Sequence, residues 1–239
     1  MEYSIRQLCQ DIKMDDEAAA LVLSAWSETE FSSLEPFLSG MMDIVNPMDS
    51  FLAIAKRLGG DERGMKILAV QLECARRCRE RYRQKGIDEK IYTDTMACFS
   101  RFVREYRQKH GQWGFDCPWW AYRQLNMTIF RLGALEFEFE PNSDRINIHI
   151  PSDADFSDPS VEDALAQCHT FTKRYFPEYG NAQIGCHSWL LSPVLTPLLK
   201  DGSHILAFQK RFTITEVFKE ENQYIGFLFQ TDEGTPIDE

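Results

Sequence analysis

Leu135-Glu136-Phe137-Glu138-Phe139-Glu140-Pro141-Asn142-Ser143-Asp144-Arg145-Ile146-Asn147-Ile148-His149-Ile150-Pro151 is two alternating runs around a turn. Apolar and polar residues take turns on both sides of Pro141-Asn142-Ser143-Asp144. That period of two predicts half-buried strands joined as a hairpin by a four-residue loop. If Glu140 faces Arg145, then Glu138 faces Asn147 and Glu136 faces His149. Leu135, Phe137, Phe139, Ile146, Ile148 and Ile150 then share the buried face. Opposed side chains on one face are close enough to interact. A carboxylate opposite an imidazole fixes its tautomer and raises its basicity, which a general base needs. The plainer reading is a solvated face whose charges pair.

Upstream of the hairpin the periodicity is helical. Helices are expected over residues 1–12, 15–27, 48–59, 61–85, 88–110 and 119–131. Ile67, Val70, Gln71, Cys74 and Cys78 form the inner stripe of the long fourth one. Its last turns, from Arg76 to Lys85, are basic, either as a solvated face suited to a helix C-terminus or as a phosphate-binding patch. Trp113, Phe115, Trp119 and Trp120 crowd one short region and read as a core between elements. Downstream, Asp158-Pro159 opens a helix that breaks at Pro177. Residues 182–190 read as a strand, and Ser192-Pro193 as the cap of a short helix to Lys200. Residues 204–218 read as a long strand pairing with 224–230, before an acidic tail. One helix between two strands allows a parallel crossover. The chain is therefore expected to be α+β: a helical N-terminal lobe over 1–117, then a mixed β-sheet with flanking helices over 118–239.

The 239 residues carry a net charge of -11 and are 44% hydrophobic. Residues 118–239 hold most of the negative excess, which disfavours nucleic acid and favours cationic or amine ligands. No apolar leader or membrane-length run is present, and the seven scattered cysteines suit a reducing cytoplasm. No Cys/His spacing resembles a zinc site, so no metal is expected.

The run from Phe130 to Glu138, His149-Ile150-Pro151, Arg174-Tyr175-Phe176-Pro177, Cys186-His187-Ser188-Trp189-Leu190-Leu191 and Phe208-Gln209-Lys210-Arg211-Phe212 resemble the bacterial GNAT-like acyltransferase family. The resemblance spans essentially the whole chain. It implies a helical N-acyltransferase N-terminal domain followed by a GNAT-like domain. It also implies that an acyl-CoA, with acetyl-CoA as the expected co-substrate, is attacked by a small-molecule amine between two splayed parallel strands. Residues 145–151 and 182–190 would be those strands. Ile150, Pro151, Ser152 and Ser160 would lie along the CoA, whose pyrophosphate would sit at the following helix N-terminus. The superfamily's Arg/Gln-x-x-Gly-x-Gly/Ala loop is absent here, and Asp153, Asp155 and Asp158 stand in its place. No tyrosine in 193–199 matches the superfamily's general acid.

The catalytic candidates are His149 as base, Glu136 as its partner, and Cys186 and Ser188 on the fifth strand. Cys186 would protonate the leaving thiolate or carry the acyl group, or else be a small buried hydrophobe. The expected function is acyl transfer from acyl-CoA to an amine, in the cytoplasm, by a monomer or homodimer. The alternative is a non-catalytic GNAT-like module that has lost CoA use and holds or senses a small ligand.

Overall fold

The computed structural model describes residues 3–218. Eight helices come first: α1 (Ile5–Asp11), α2 (Asp16–Glu28), α3 (Phe31–Met41), α4 (Pro47–Leu58), α5 (Met65–Gln84), α6 (Glu89–Met96), α7 (Cys98–His110) and α8 (Pro118–Leu125). α5 is the axis of this half. It is buried on every side from Ile67 to Ala75, and α1, α2, α3, α4, α6 and α8 pack on it. Its start is set later than the periodicity suggests. Gly64 takes φ +66° and lies so close to the Phe115 carbonyl that a Cβ would fall 1.9 Å from its oxygen. The Asp61 carboxylate accepts the Lys66 and Ile67 N–H groups of the first turn, at 3.1 and 2.9 Å.

The expected helix over 88–110 is two helices, α6 and α7, meeting at Ala97. Beside this junction the Thr95 hydroxyl accepts the Arg131 backbone N–H at 3.0 Å, tying α6 to the sheet. α3 has no counterpart in the sequence reading, because Pro36 interrupts its pattern.

The sheet holds β1 (Ile129–Leu132), β2 (Leu135–Phe139), β3 (Arg145–His149) and β4 (Gln183–Cys186), in that order. β1–β2 and β2–β3 are antiparallel, and β3–β4 is parallel. The hairpin register is the one the alternation predicts, with Glu136 opposite His149 and Glu138 opposite Asn147. β1 replaces the second half of the helix expected over 119–131. α8 ends at Leu125, Met127 takes φ +64°, and the Asn126 side chain accepts the Thr128 N–H and hydroxyl, turning the chain into a strand. Gly133, at φ +63°, makes the β1–β2 turn where the chain passes against Ala164.

α9 (Asp158–Tyr175), capped at Ser157 rather than Asp158, crosses from β3 to β4. Phe171 packs 4.7 Å from Phe130, and Phe176 stacks 4.6 Å from Phe139. Beyond β4 the expectations change most. The strand expected over 182–190 stops at Cys186, because Ser188 caps a 3-10 turn, Trp189–Leu191, by accepting the Leu190 N–H. A second 3-10 turn, Pro193–Leu198, stands where the short helix was expected, with Pro197 inside it. Residues 204–218 are not a strand. They form α10 (His204–Gln209) and irregular chain, since Phe208 and Phe212, four apart, pack together at 5.0 Å and Phe208 meets Phe156 at 5.1 Å. The partner expected at 224–230 lies outside the described residues.

Candidate active site

Pairing places Glu136, Glu138, Asn147, His149 and Gly185 on one face of the sheet and Phe137, Ile148 and Cys186 on the other. The parallel ladder between β3 and β4 ends at Ile148–Cys186. His149 is the first residue past that point, where the two strands part.

His149 Nε2–H donates to Glu138 Oε2 at 2.8 Å. An ionised carboxylate only accepts, so the proton of this bond is on Nε2, and in the neutral ring the lone pair is then on Nδ1. Nδ1 has no hydrogen-bond partner among the described residues. The partner expected for the imidazole was Glu136, its opposite neighbour. The structure corrects this: the diagonal neighbour takes the role, within reach of a long side chain. Glu136 is instead drawn to Arg101 of α7, which donates to its Oε1 at 2.9 Å, with Arg131 at 4.0 Å. Glu136 is only 3% exposed, and Arg101 is buried as well.

Two α8 residues complete the cluster. Arg123 Nε donates to Glu138 Oε1 at 3.2 Å, and its guanidinium lies 4.3 Å over the Trp120 ring. Trp120 meets the His149 ring edge-on at 4.9 Å. Burial alone raises the Glu138 carboxyl. The His149 hydrogen bond and Arg123 more than offset it and hold the group below the ordinary glutamate range. A side-chain carboxylate that stays ionised, fixed by an arginine and bonded to one imidazole nitrogen, leaves the other nitrogen free to take a proton. Sequence reasoning missed Glu138, Arg123 and Trp120 as site residues. Glu138 was visible in the register, but its selection depends on Arg101, far away in the chain.

Cys186 does not join His149. It faces the apolar side of the sheet, and burial pushes its thiol up to about 12, which leaves it a poor nucleophile and acid at neutral pH. Ser188 lies beyond β4, its hydroxyl oxygen accepting the Leu190 N–H at 3.2 Å. It does not share a strand face with Cys186, as the sequence had suggested.

The loop between β3 and α9 is held at each of its carboxylates. Asp153 pairs with Arg131 at 2.9 Å and lies 3.6 Å from Arg101. Burial raises its carboxyl, and Arg131 then outweighs that to leave it lowered. Asp155 accepts from the Ser157 N–H and hydroxyl and from the Ser160 hydroxyl. Asp158 accepts from Arg211 at 2.8 Å. Of the four residues expected along the CoA, Pro151 is buried and Ile150 half-buried. Ser152 donates to Glu105 of α7, and Ser160 to Asp155. A cavity of about 470 Å³ adjoins the start of α9, lined by Asp158, Ser203, His204, Lys210 and Arg211 among others. The basic end of α5 serves the fold. Arg76 and Arg77 bond buried Glu73, Arg79 bonds Glu89, and Arg81 donates to the Met42 carbonyl.

The family model for the N-acyltransferase N-terminal domain matches residues 4–127, and that for the GNAT-like C-terminal domain matches residues 129–239. The chain belongs to the GNAT-like N-acyltransferase family. Among solved structures, this family member is similar to an acyltransferase in complex with decanoyl-CoA and teicoplanin. Identity is 21%, the TM-score is 0.77, and the likeness covers 97% of this chain and 77% of that one. It is equally similar to an acyltransferase in complex with CoA and 10C-teicoplanin, at 21% identity and a TM-score of 0.78, with the same coverage. A mutant acyltransferase in complex with octanoyl-CoA matches at 22% identity and a TM-score of 0.78. These likenesses establish the fold. Among curated proteins, none matches the chain in sequence.

Proposed function

We propose that this GNAT-like family member transfers an acyl group from an acyl-CoA to an amine, with His149 as the general base. The observation that carries the reading is the Glu138–His149 pair, placed where β3 and β4 part and with Nδ1 unspent. The amine nitrogen attacks the thioester carbonyl, the new C–N bond forms and the C–S bond breaks. His149 Nδ1 takes the proton the amine loses and returns it to the departing CoA sulfur. Glu138 holds the ring in the required tautomer and stabilises it while protonated. A positioned base of this kind contributes on the order of 10²–10⁴ in rate.

The similar structures were solved with decanoyl-CoA, octanoyl-CoA and CoA, which supports an acyl-CoA donor and makes a medium-length chain a stronger expectation than acetyl. Two of them also hold teicoplanin or its 10C form, so the acceptor need not be small. The acidic β3–α9 loop is compatible with a bound pyrophosphate because Arg131, Arg101 and Arg211 engage Asp153 and Asp158. Lys210, at the cavity beside α9, would supply a cationic contact in place of the missing glycine-rich loop, with Arg211 held by Asp158 and Glu162.

The alternative, a non-catalytic binding module, draws on the same loop: the Ser152 and Ser160 hydroxyls are already committed to carboxylates. One experiment separates the two. Calorimetric titration with acetyl-, octanoyl- and decanoyl-CoA is followed by thiol release in the presence of primary amines. Binding with amine-dependent thiol release, lost in His149→Ala, supports the transferase. Binding without release of thiol overturns the transferase, and no binding of any acyl-CoA at millimolar ligand overturns it too and leaves the module that has lost CoA use.

A further inference from the structure

Trp119 is 53% exposed, while Trp26, Trp113, Trp120 and Trp189 are half-buried or buried. It neighbours Trp120 in edge-on contact at 5.9 Å, and Trp120 in turn meets the His149 ring at 4.9 Å. The first turn of α8 thus runs from the imidazole outward to an uncovered indole. The Trp120 face is already taken by the Arg123 guanidinium at 4.3 Å, so Trp119 offers the open ring of the pair. Neither indole N–H has a hydrogen-bond partner among the described residues. An exposed tryptophan two ring contacts from a base stabilises nothing in the core. Its large, rigid surface costs little entropy to present to a ligand.

We infer that Trp119 determines acceptor specificity: its indole receives the aromatic or flat apolar body of the amine whose amino group reaches His149. This deepens, and rests on, the acyl-transfer reading of the same site. The amine arrives largely as an ammonium ion, and the excess of carboxylates in residues 118–239 favours its approach. The ammonium gives up one proton to solvent before attack, and stacking on Trp119 holds the body while the neutral amine attacks and His149 takes the second proton. Acceptors with a bare alkyl chain lack the stacking contact and bind more weakly.

The test compares phenethylamine with propylamine as acceptors at saturating octanoyl-CoA. In the wild type kcat/KM should favour phenethylamine by about threefold to tenfold, the value of one aromatic contact. Trp119→Ala should collapse that ratio through KM, with kcat for phenethylamine retained, and Trp119→Phe should restore most of it. An unchanged ratio in Trp119→Ala overturns the inference. So does a variant that alters the octanoyl-to-acetyl preference while leaving the amine ratio intact, because Trp119 would then contact the acyl chain. A second readout does not depend on turnover. Phenethylamine should quench tryptophan fluorescence at millimolar concentration in the wild type and less so in Trp119→Ala. If no amine gives thiol release but this difference is present, the acyl-transfer reading fails and the binding surface stands. If release is normal and neither the ratio nor the quench depends on Trp119, the surface fails alone.

Discussion

At His149 two carboxylates compete for one imidazole, and a third residue decides between them. Glu136 is the opposed neighbour in the ladder, yet Arg101 holds it, and Glu138 reaches the ring across the diagonal. The two glutamates therefore have separable roles. Glu138→Gln should lower kcat about 10- to 100-fold by losing the ionic partner of protonated His149, with the acyl-CoA affinity kept; steady-state kinetics beside calorimetry checks this. Glu136→Gln should act on stability. It removes the closest and most buried ionic partner of Arg101 and leaves it Glu105 at 3.4 Å and Asp153 at 3.6 Å, so the loss in denaturant unfolding should stay below the about 3–5 kcal/mol of a buried pair broken outright. Cys186→Ala should leave turnover near the wild-type rate, because the thiol faces the apolar side of the sheet.

The hairpin of β2 and β3 was legible down to its register, because one buried face and one polar face leave a period-two signature. β1 was not legible. Ile129, Phe130 and Leu132 are all buried, so nothing alternates, and a short apolar run reads equally well as the end of α8. α10 was misread for the opposite reason. Residues 204–218 alternate by accident, while the contacts that decide the matter, from Phe208 to Phe156 and Phe212, are tertiary. The same limit hid the site. Alternation located His149 and the carboxylate row, but not the choice of Glu138, which depends on side chains from α7 and α8. At this scale the aromatic pile between the sheet and α9 is the element most sensitive to truncation. Phe139 stacks on Phe176 and is 2% exposed. Phe139→Ala should cost about 3–5 kcal/mol in chemical denaturation and release α9 from the sheet.

Over the whole molecule, carboxylates in α5, the sheet and the β3–α9 loop make stability depend on acid. Glu138, Asp153 and Glu73 are each raised by burial and then brought below their ordinary values by basic partners. A carboxyl whose folded value is depressed stabilises the fold above its unfolded value and loses that contribution as pH falls through the folded one. Thermal unfolding followed by circular dichroism should thus show Tm steady near neutrality and falling below about pH 4. Glu138→Gln should flatten part of that slope, since its side chain no longer titrates.

Arg123 and Trp120 lie on the stretch matched by the N-terminal family model, and Glu138 and His149 on the stretch matched by the C-terminal one. The proposed base and the groups that orient it thus come from both matched stretches. Neither piece is a self-sufficient cassette. On the proposed reading, a chimera joining the first 127 residues to a relative's sheet would lose its chemistry unless α8 and the facing strand were exchanged together.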